Sequence, residues 1–485
     1  QYSVQPKQDE DRSPYYKSAA PAIALPKGGG AIKGIDEKFT VNAVNGTASV
    51  EIPLPLTGGR AGFSPALSIS YNSGGGNGIC GLGWNLGLPS IQRKTDKRLP
   101  EYDDANESDV FLLAGAEDLI PELDNEGQRL ISIEGSYTIK KYRPRIEGLF
   151  ARIEQISQAS NVWWRVTTKD NITTYYGLQA ESRIADPTNA ARIFQWLPDI
   201  VVDHKGNVQQ FVYIAENLDN VPDHVYERNR LNGTAACTNT YLKGVRYTNG
   251  TPYFISEEQI WRPELPATDW MMEAVIDYGD HSGENLLPDQ LWACRKDASS
   301  DFHAGFEIRT WRKIQRVLMF HRFSDLNEGE ATLVRSLELQ YKSETQTGQE
   351  TLEADFILSA VSKGYKRDND GSYISKALPA MTMEYSPLAW DTTIHKVDAA
   401  SFRGAPQGLT GPYQWTDLEG EGISGILSEQ EGNWYYKHNL GNGTFAAPKQ
   451  VAEKPNFSGL GNALQSQDLH AGGRRQMVDA QLAKG

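Results

Sequence analysis

The stretch Ser68–Ile91, SISYNSGGGNGICGLGWNLGLPSI, packs seven glycines around a single tryptophan. Such a density either cradles a ligand or lets strands approach one another. Gly76-Asn77-Gly78-Ile79-Cys80-Gly81 spells the dinucleotide motif GxGxxG, but that motif needs a following helix whose first amides meet the pyrophosphate. Here Gly83, Gly87 and Pro89 leave no room for one. A P-loop needs Lys and then Ser or Thr after its last glycine, whereas Gly83 is followed by Trp84 and Asn85. The stretch therefore reads as a strand junction. Its glycines permit positive backbone angles and close strand contact, and Trp84 and Leu86 anchor it.

On either side the chain has the rhythm of strands. Ala48-Ser49-Val50-Glu51-Ile52 and Leu67-Ser68-Ile69-Ser70-Tyr71 alternate between apolar and polar residues and are bounded by Asn-Gly, Gly-Gly and Pro signals. NVWWRVTTKDNITTYYG, GNVQQFVYIAEN, TYLKGVRYTNGTPYFI, MMEAVIDYGD and ATLVRSLELQYKS continue the pattern. With 22 Tyr, 11 Trp and 45 Gly against six Met, the composition favours aromatic strands joined by glycine turns. The expected class is all-β. The best helical window lies within 350–364, where Leu352, Phe356, Leu358 and Val361 loosely follow a helical period.

Four regions follow from composition. Residues 1–35 are polar and then Ala/Pro/Gly-rich, and they read as a flexible leader. Residues 36–385 form the large multi-stranded β domain, 386–411 a linker, and 412–485 the start of a repeat. Its two copies begin at Asp417 and Asp468, 51 residues apart, a length that suits a four-stranded propeller blade. Fewer than four blades are present, so any propeller is incomplete in this sequence. Asp417-Leu418-Glu419-Gly420-Glu421-Gly422 resembles a DxDGDG calcium loop, which makes Asp417, Glu419 and Glu421 the candidate metal ligands. The second copy, Asp468 to Gly473, keeps one carboxylate. Calcium is the one cofactor this pattern suggests; the alternative is that both loops are turns inherited from a metal-binding ancestor.

Several function classes are set aside. A net charge of −14 disfavours nucleic acid and anionic membranes as partners. No apolar run reaches the roughly 18–20 residues that span a bilayer, so direct membrane insertion is not expected. The opening residues show no signal-peptide core, and with Gln1 first the natural start is expected upstream. Cys80, Cys237 and Cys294 are far apart and lack CxxC pairing, so no disulfide is expected. Ten carboxylates and no basic residue lie between positions 99 and 128, which reads as a solvated acidic loop. HExxH and GxSxG do not occur, and His303 and His321 read as structural. Glu429-Gln430-Glu431 has the spelling of a transferase ExE pair, but it sits within the repeat and reads as a hairpin turn.

GTASVEIPLPLTGGRAGFSPALSISYNSGGGNGICGLGWNLGLPSIQRKT, followed by RLPEYDDANESDVFLLAGAEDLIP, resembles the start of the SpvB-type domain of bacterial virulence proteins and insecticidal toxin-complex B components (TcB-like). YRPRIEGLFARIE, RIFQWLPDIVVDHKGN and FHAGFEIRTWRKIQRVLMFHRF resemble its later landmarks. DLEGEGISGILSEQEGNWYYKHNLGNGTF resembles the FG-GAP-like propeller that follows it in the B components. The toxin-complex resemblance implies a secreted, non-catalytic segment that builds a hollow β shell with a C component around a toxic polypeptide. Its propeller would dock on an A-component channel. The SpvB resemblance implies instead the N-terminal domain of an actin ADP-ribosyltransferase whose catalytic domain lies outside this chain. A calcium-dependent surface adhesin is a third reading.

Overall fold

The computed structural model describes residues 38–41, 48–345 and 353–385, apart from 116, 147 and 149, and then discontinuous segments between 393 and 479. The leader and most of 386–411 lie outside the described residues.

Nineteen strands share one sheet. Its spine runs from Tyr137–Pro144 through Arg152–Gln158, Asn161–Thr167 and Thr173–Tyr176 to Pro198–Val202 and Val208–Ala215. It continues through Thr240–Asn249, Trp270–Asp277, Arg316–His321 and Thr332–Thr345 to Glu353–Arg367. Every one of these pairings is antiparallel, as short connections between sequential strands require. A branch of Ile91–Arg93, Phe111–Leu113 and Glu117–Pro121 joins the far end of Tyr137–Pro144.

Successive side chains leave a strand on opposite faces, so adjacent Trp163 and Trp164 can both be buried only where the sheet is covered on both sides. Both are 0% exposed. Trp164 joins Phe111, Tyr142 and Trp196 on one face, and Trp163 joins Ile139, Ile156 and Ile200 on the other. Phe111 meets Trp164 at a ring separation of 4.9 Å and Trp196 at 5.8 Å. Such aromatic pairs each add about 0.5–1.5 kcal/mol beyond their buried area.

The helical window of 350–364 is corrected. Glu353–Arg367 is a strand, paired along its length with Thr332–Thr345. Ile357 and Ala360 are buried while Leu358 is 43% exposed, so the apolar spacing serves a bulged ladder. A partner strand overrides the local propensity.

The acidic stretch is also corrected. Arg93, 1% exposed, holds Asp104 at 2.6 Å and Asp109 at 2.7 Å, and Lys94 holds Asp118 at 2.8 Å. Arg129 takes Glu107 at 2.8 Å. The compensating cations lie just outside the acidic run, so much of the loop is strapped onto the sheet.

The opening stretch forms a second layer. Lys38–Val41, Ala48–Pro53, Ser68–Asn72 and Trp84–Leu86 make a four-stranded sheet in that order. Ile52, Ile69, Trp84 and Leu86 from it pack on Val245, Ile276, Val317, Leu337 and Ile357 of the long sheet. Each such side chain, fully buried, stabilises the fold by about 1.5–3 kcal/mol.

Toward the C-terminus Tyr413–Thr416, Gly425–Gln430, Asn433–Lys437 and Lys449–Gln450 form a four-stranded sheet, and Leu464–Gln467 pairs with Gln476–Asp479. The strand starting at Leu464 follows that starting at Tyr413 by the same 51 residues that separate the repeat copies. Among the described residues these strands make no closed ring of blades, so the large β domain stands and the propeller remains a proposal. No helix of the described residues is long and apolar enough to cross a membrane.

Candidate functional site

The glycine stretch builds a junction between the two layers. Asn77–Gly78 and Gly81–Leu82 pair as a small hairpin that leads into the strand Trp84–Leu86, where a nucleotide motif would need a helix. Gly81 has φ +97°, and a Cβ placed on it would lie 2.5 Å from the Asp355 carbonyl oxygen. Gly81 thus faces protein. Arg295 donates to the Gly78 carbonyl (2.7 Å) and to Asn77 Oδ1 (2.6 Å), and it pairs with Asp297 at 2.7 Å. Asp297 in turn accepts the Asp355 amide at 3.0 Å, and Asp355 pairs with Lys313. Although burial opposes it, Arg295 holds the Asp297 carboxyl at about 2. The Trp84 indole donates to the Tyr385 hydroxyl (2.8 Å), which donates to the Ile357 carbonyl (2.8 Å). Burial pushes the Cys80 thiol up to about 12, which removes it as a nucleophile.

Beside the junction opens a cleft of about 1000 Å³. Its walls carry Asn72, Asn85, Gln92, Gln195 and Asn239, with the hairpin Ser299–Asp301 and Ile308–Thr310 on one side. Ser, His and Asp are all present, but they are not aligned for acyl transfer. His303 bonds Asp301 at 2.6 Å, whereas the Ser300 hydroxyl bonds Glu307 and receives Arg309 at 3.1 Å. The cleft mixes apolar and polar side chains and is nearly neutral, a surface suited to contact more than to proton transfer.

The expected metal ligands are only partly placed. Asp417 is 8% exposed and accepts the Gly422 amide at 2.7 Å, while Glu419 lies 3.0 Å from His438 Nδ1. Glu421 lies outside the described residues, as do His470 to Gly473 of the second copy. Glu431 and Gly432, both at positive φ, close the hairpin between Gly425–Gln430 and Asn433–Lys437, as the turn reading expects. Glu429 bonds Lys454 at 2.5 Å and the Leu460 amide at 2.6 Å. His321 Nε2 bonds the Thr57 hydroxyl at 2.8 Å, the structural role expected of it.

The sequence reading missed a buried ionic network. Arg312 is 0% exposed, pairs with Glu216 at 2.7 Å, and donates to the carbonyls of Asn217 (2.7 Å) and Asp219 (2.8 Å). Beside it Glu227 pairs with Arg309 and Arg230, and Arg230 reaches Glu307 at 2.5 Å. The signal was the cluster of basic residues among apolar ones in FEIRTWRKIQR, residues 306–316. Its carboxylate partners lie as far as 96 positions away, so their pairing could not be read locally. Asp199 was also missed. It is 2% exposed and accepts from the Leu178 amide (2.6 Å) and the Ser182 hydroxyl (2.9 Å). Burial pushes its carboxyl up to about 7.

Residues 42–323 match the family model described as SpvB, Salmonella virulence plasmid 65kDa B protein. A mono(ADP-ribosyl)transferase SpvB of Salmonella typhimurium is 36% identical over 338 residues, covering 65% of this chain and 54% of the relative. The chain thus spans about half the length of the curated relatives it matches. The N-terminal domain of effector protein SpvB from Salmonella typhimurium strain LT2 matches with TM-score 0.57 and 31% identity, over 65% of this chain and 98% of that domain. The crystal structure of TcdB2-TccC3 matches with TM-score 0.69 and 28% identity, over 93% of this chain and 22% of the other. The part of SpvB that is matched is its N-terminal, non-catalytic portion.

Proposed function

Because the chain belongs to the SpvB family, we propose that it is the non-catalytic N-terminal β scaffold of a bacterial toxin whose toxic activity is carried elsewhere. In the first form of this reading that activity is an SpvB-like ADP-ribosyltransferase acting on actin, with its catalytic domain outside these 485 residues. The observation that carries it is the 36% identity to SpvB together with the 98% coverage of the SpvB N-terminal domain. Residues 36–385 are then the scaffold domain. The test is transfer of label from NAD to actin by the natural protein containing this chain and by the chain alone. Label transferred only by the former supports the reading, and label transferred by the chain alone sinks it.

A second form is favoured by the match to TcdB2-TccC3, which reaches 93% of this chain. Here the scaffold joins a C component as part of a hollow shell, 386–411 is a connector, and 412–485 begins a propeller that docks on an A component after secretion. Two strands bonded on one side only among the described residues, Ile131–Glu134 and Tyr373–Ala377, fit a wall that another chain extends. Size exclusion of the chain with a C component would separate the forms: co-elution supports the shell, and separate elution removes it. Calcium at Asp417, Glu419 and Glu421 belongs to this second form. A chelator should lower the melting temperature if the ion is bound, and an unchanged melt argues against it.

A further inference from the structure

One strand side chain and one turn meet at Lys243 in a contact that depends on protonation. The ammonium has three N–H bonds, and all three are spent: on the Ile276 carbonyl (2.9 Å), Asp280 Oδ2 (2.5 Å) and His281 Nε2 (3.1 Å). The other ring nitrogen, His281 Nδ1, faces the Asn285 carbonyl oxygen at 3.1 Å. A carbonyl only accepts, so Nδ1 carries the proton and Nε2 offers its lone pair to Lys243. The contacts therefore select the neutral imidazole in one tautomer, with its side chain 0% exposed.

The charged groups around it come from three elements. Lys243 reaches it from Thr240–Asn249. From its own turn, Asp280 Oδ1 lies 3.9 Å from Nε2, and Asp277 is already held by Arg316 at 2.6 Å. From Arg316–His321, Arg316 also binds the carbonyls of His281 (2.9 Å) and Gly283 (3.1 Å). Asp289 binds the neighbouring Ser282 amide at 2.7 Å. Two cations thus face the imidazole region, and both nearby carboxylates are engaged with them.

We propose that Lys243, Asp280 and His281 form a proton-sensitive clasp that holds residues 279–291 against the sheet near neutral pH and releases them on acidification. A second proton on His281 would set an N–H against a lysine N–H and place one positive charge beside another. Burial, and then the Lys243 charge, hold the imidazole below its ordinary value of 6.5. The open segment binds the proton more readily than the closed one, so closure is fully supported above about pH 6.5 and is lost as pH falls below it. Release uncovers Leu286, which packs half-buried on Val275, Leu318 and Leu333. It would extend the apolar surface already offered by Leu287 and Leu291, which are 73% and 61% exposed.

Hydrogen exchange of the whole chain at about pH 7.5 and about pH 5.5, corrected for intrinsic chemical exchange, tests this. Peptides covering 279–291 should open about tenfold more at the lower pH, while those from Val208–Ala215 should not respond. His281→Gln should abolish the response and Lys243→Gln should weaken it, the second by removing the repulsion while keeping the buried imidazole. A wild-type segment indifferent to pH, or either variant responding as wild type does, would overturn the proposal.

Discussion

Replacing Gly81 with valine sets two penalties against the fold, because its backbone is left-handed and the Asp355 carbonyl occupies the space of a Cβ. A loss on the order of 3 kcal/mol is expected, read as a lower denaturation midpoint with an unchanged slope. Trp84→Ala should cost about 3–5 kcal/mol through the cavity it leaves, and it also removes the indole donor to the Tyr385 hydroxyl, which keeps its bond to the Ile357 carbonyl. These roles were legible in the sequence because a glycine run without helix or lysine leaves only a packing explanation. Asp199 was not legible, since nothing in PDIVV shows that its carboxyl is shut away from water. Its folded value of about 7 lies above the ordinary value of 3.8, so the native state keeps a proton that the unfolded chain loses. The stability it contributes is present below the unfolded value and is lost as pH rises through the folded one. Asp199→Asn should therefore raise the melting temperature relative to wild type at about pH 8 and have little effect at about pH 4. Equal differences at both pH values would show that the carboxyl is not perturbed.

Among the elements, the segment carrying Arg309, Arg312 and Lys313 ties remote pieces together. Arg312 fixes the 216–219 loop to the sheet by pairing with Glu216 and donating to the Asn217 and Asp219 carbonyls. Arg312→Met leaves Glu216 buried without its cation and should cost about 3–5 kcal/mol. Adding Glu216→Gln to that variant should recover part of the loss, which a double-mutant cycle measures. An additive cycle would deny the coupling. Lysine cannot substitute, because one ammonium cannot reproduce the planar fork. The strands themselves were legible wherever alternation and turn residues coincide, as in Ala48–Pro53 and Thr240–Asn249. The misread helix at 350–364 and the acidic stretch share one cause. Each is decided by a partner distant in sequence, the strand Thr332–Thr345 in one case and Arg93, Lys94 and Arg129 in the other.

Across the whole molecule, the two layers meet at the glycine–tryptophan junction, and the long sheet carries tryptophans on both faces. The all-β class and the SpvB character were legible because the landmarks span most of the chain. The register of nineteen strands was not, since register depends on pairings that a local pattern cannot specify. The proposed scaffold acts through what it holds, a reading that rests on the match to the N-terminal, non-catalytic portion of SpvB. The most direct test of that claim is transfer of radiolabel from NAD to actin, comparing the natural protein containing this chain with residues 1–485 alone. The account predicts labelling by the natural protein and none by the chain. Labelling by the chain alone would contradict the scaffold, and absence of labelling from both would contradict the transferase form.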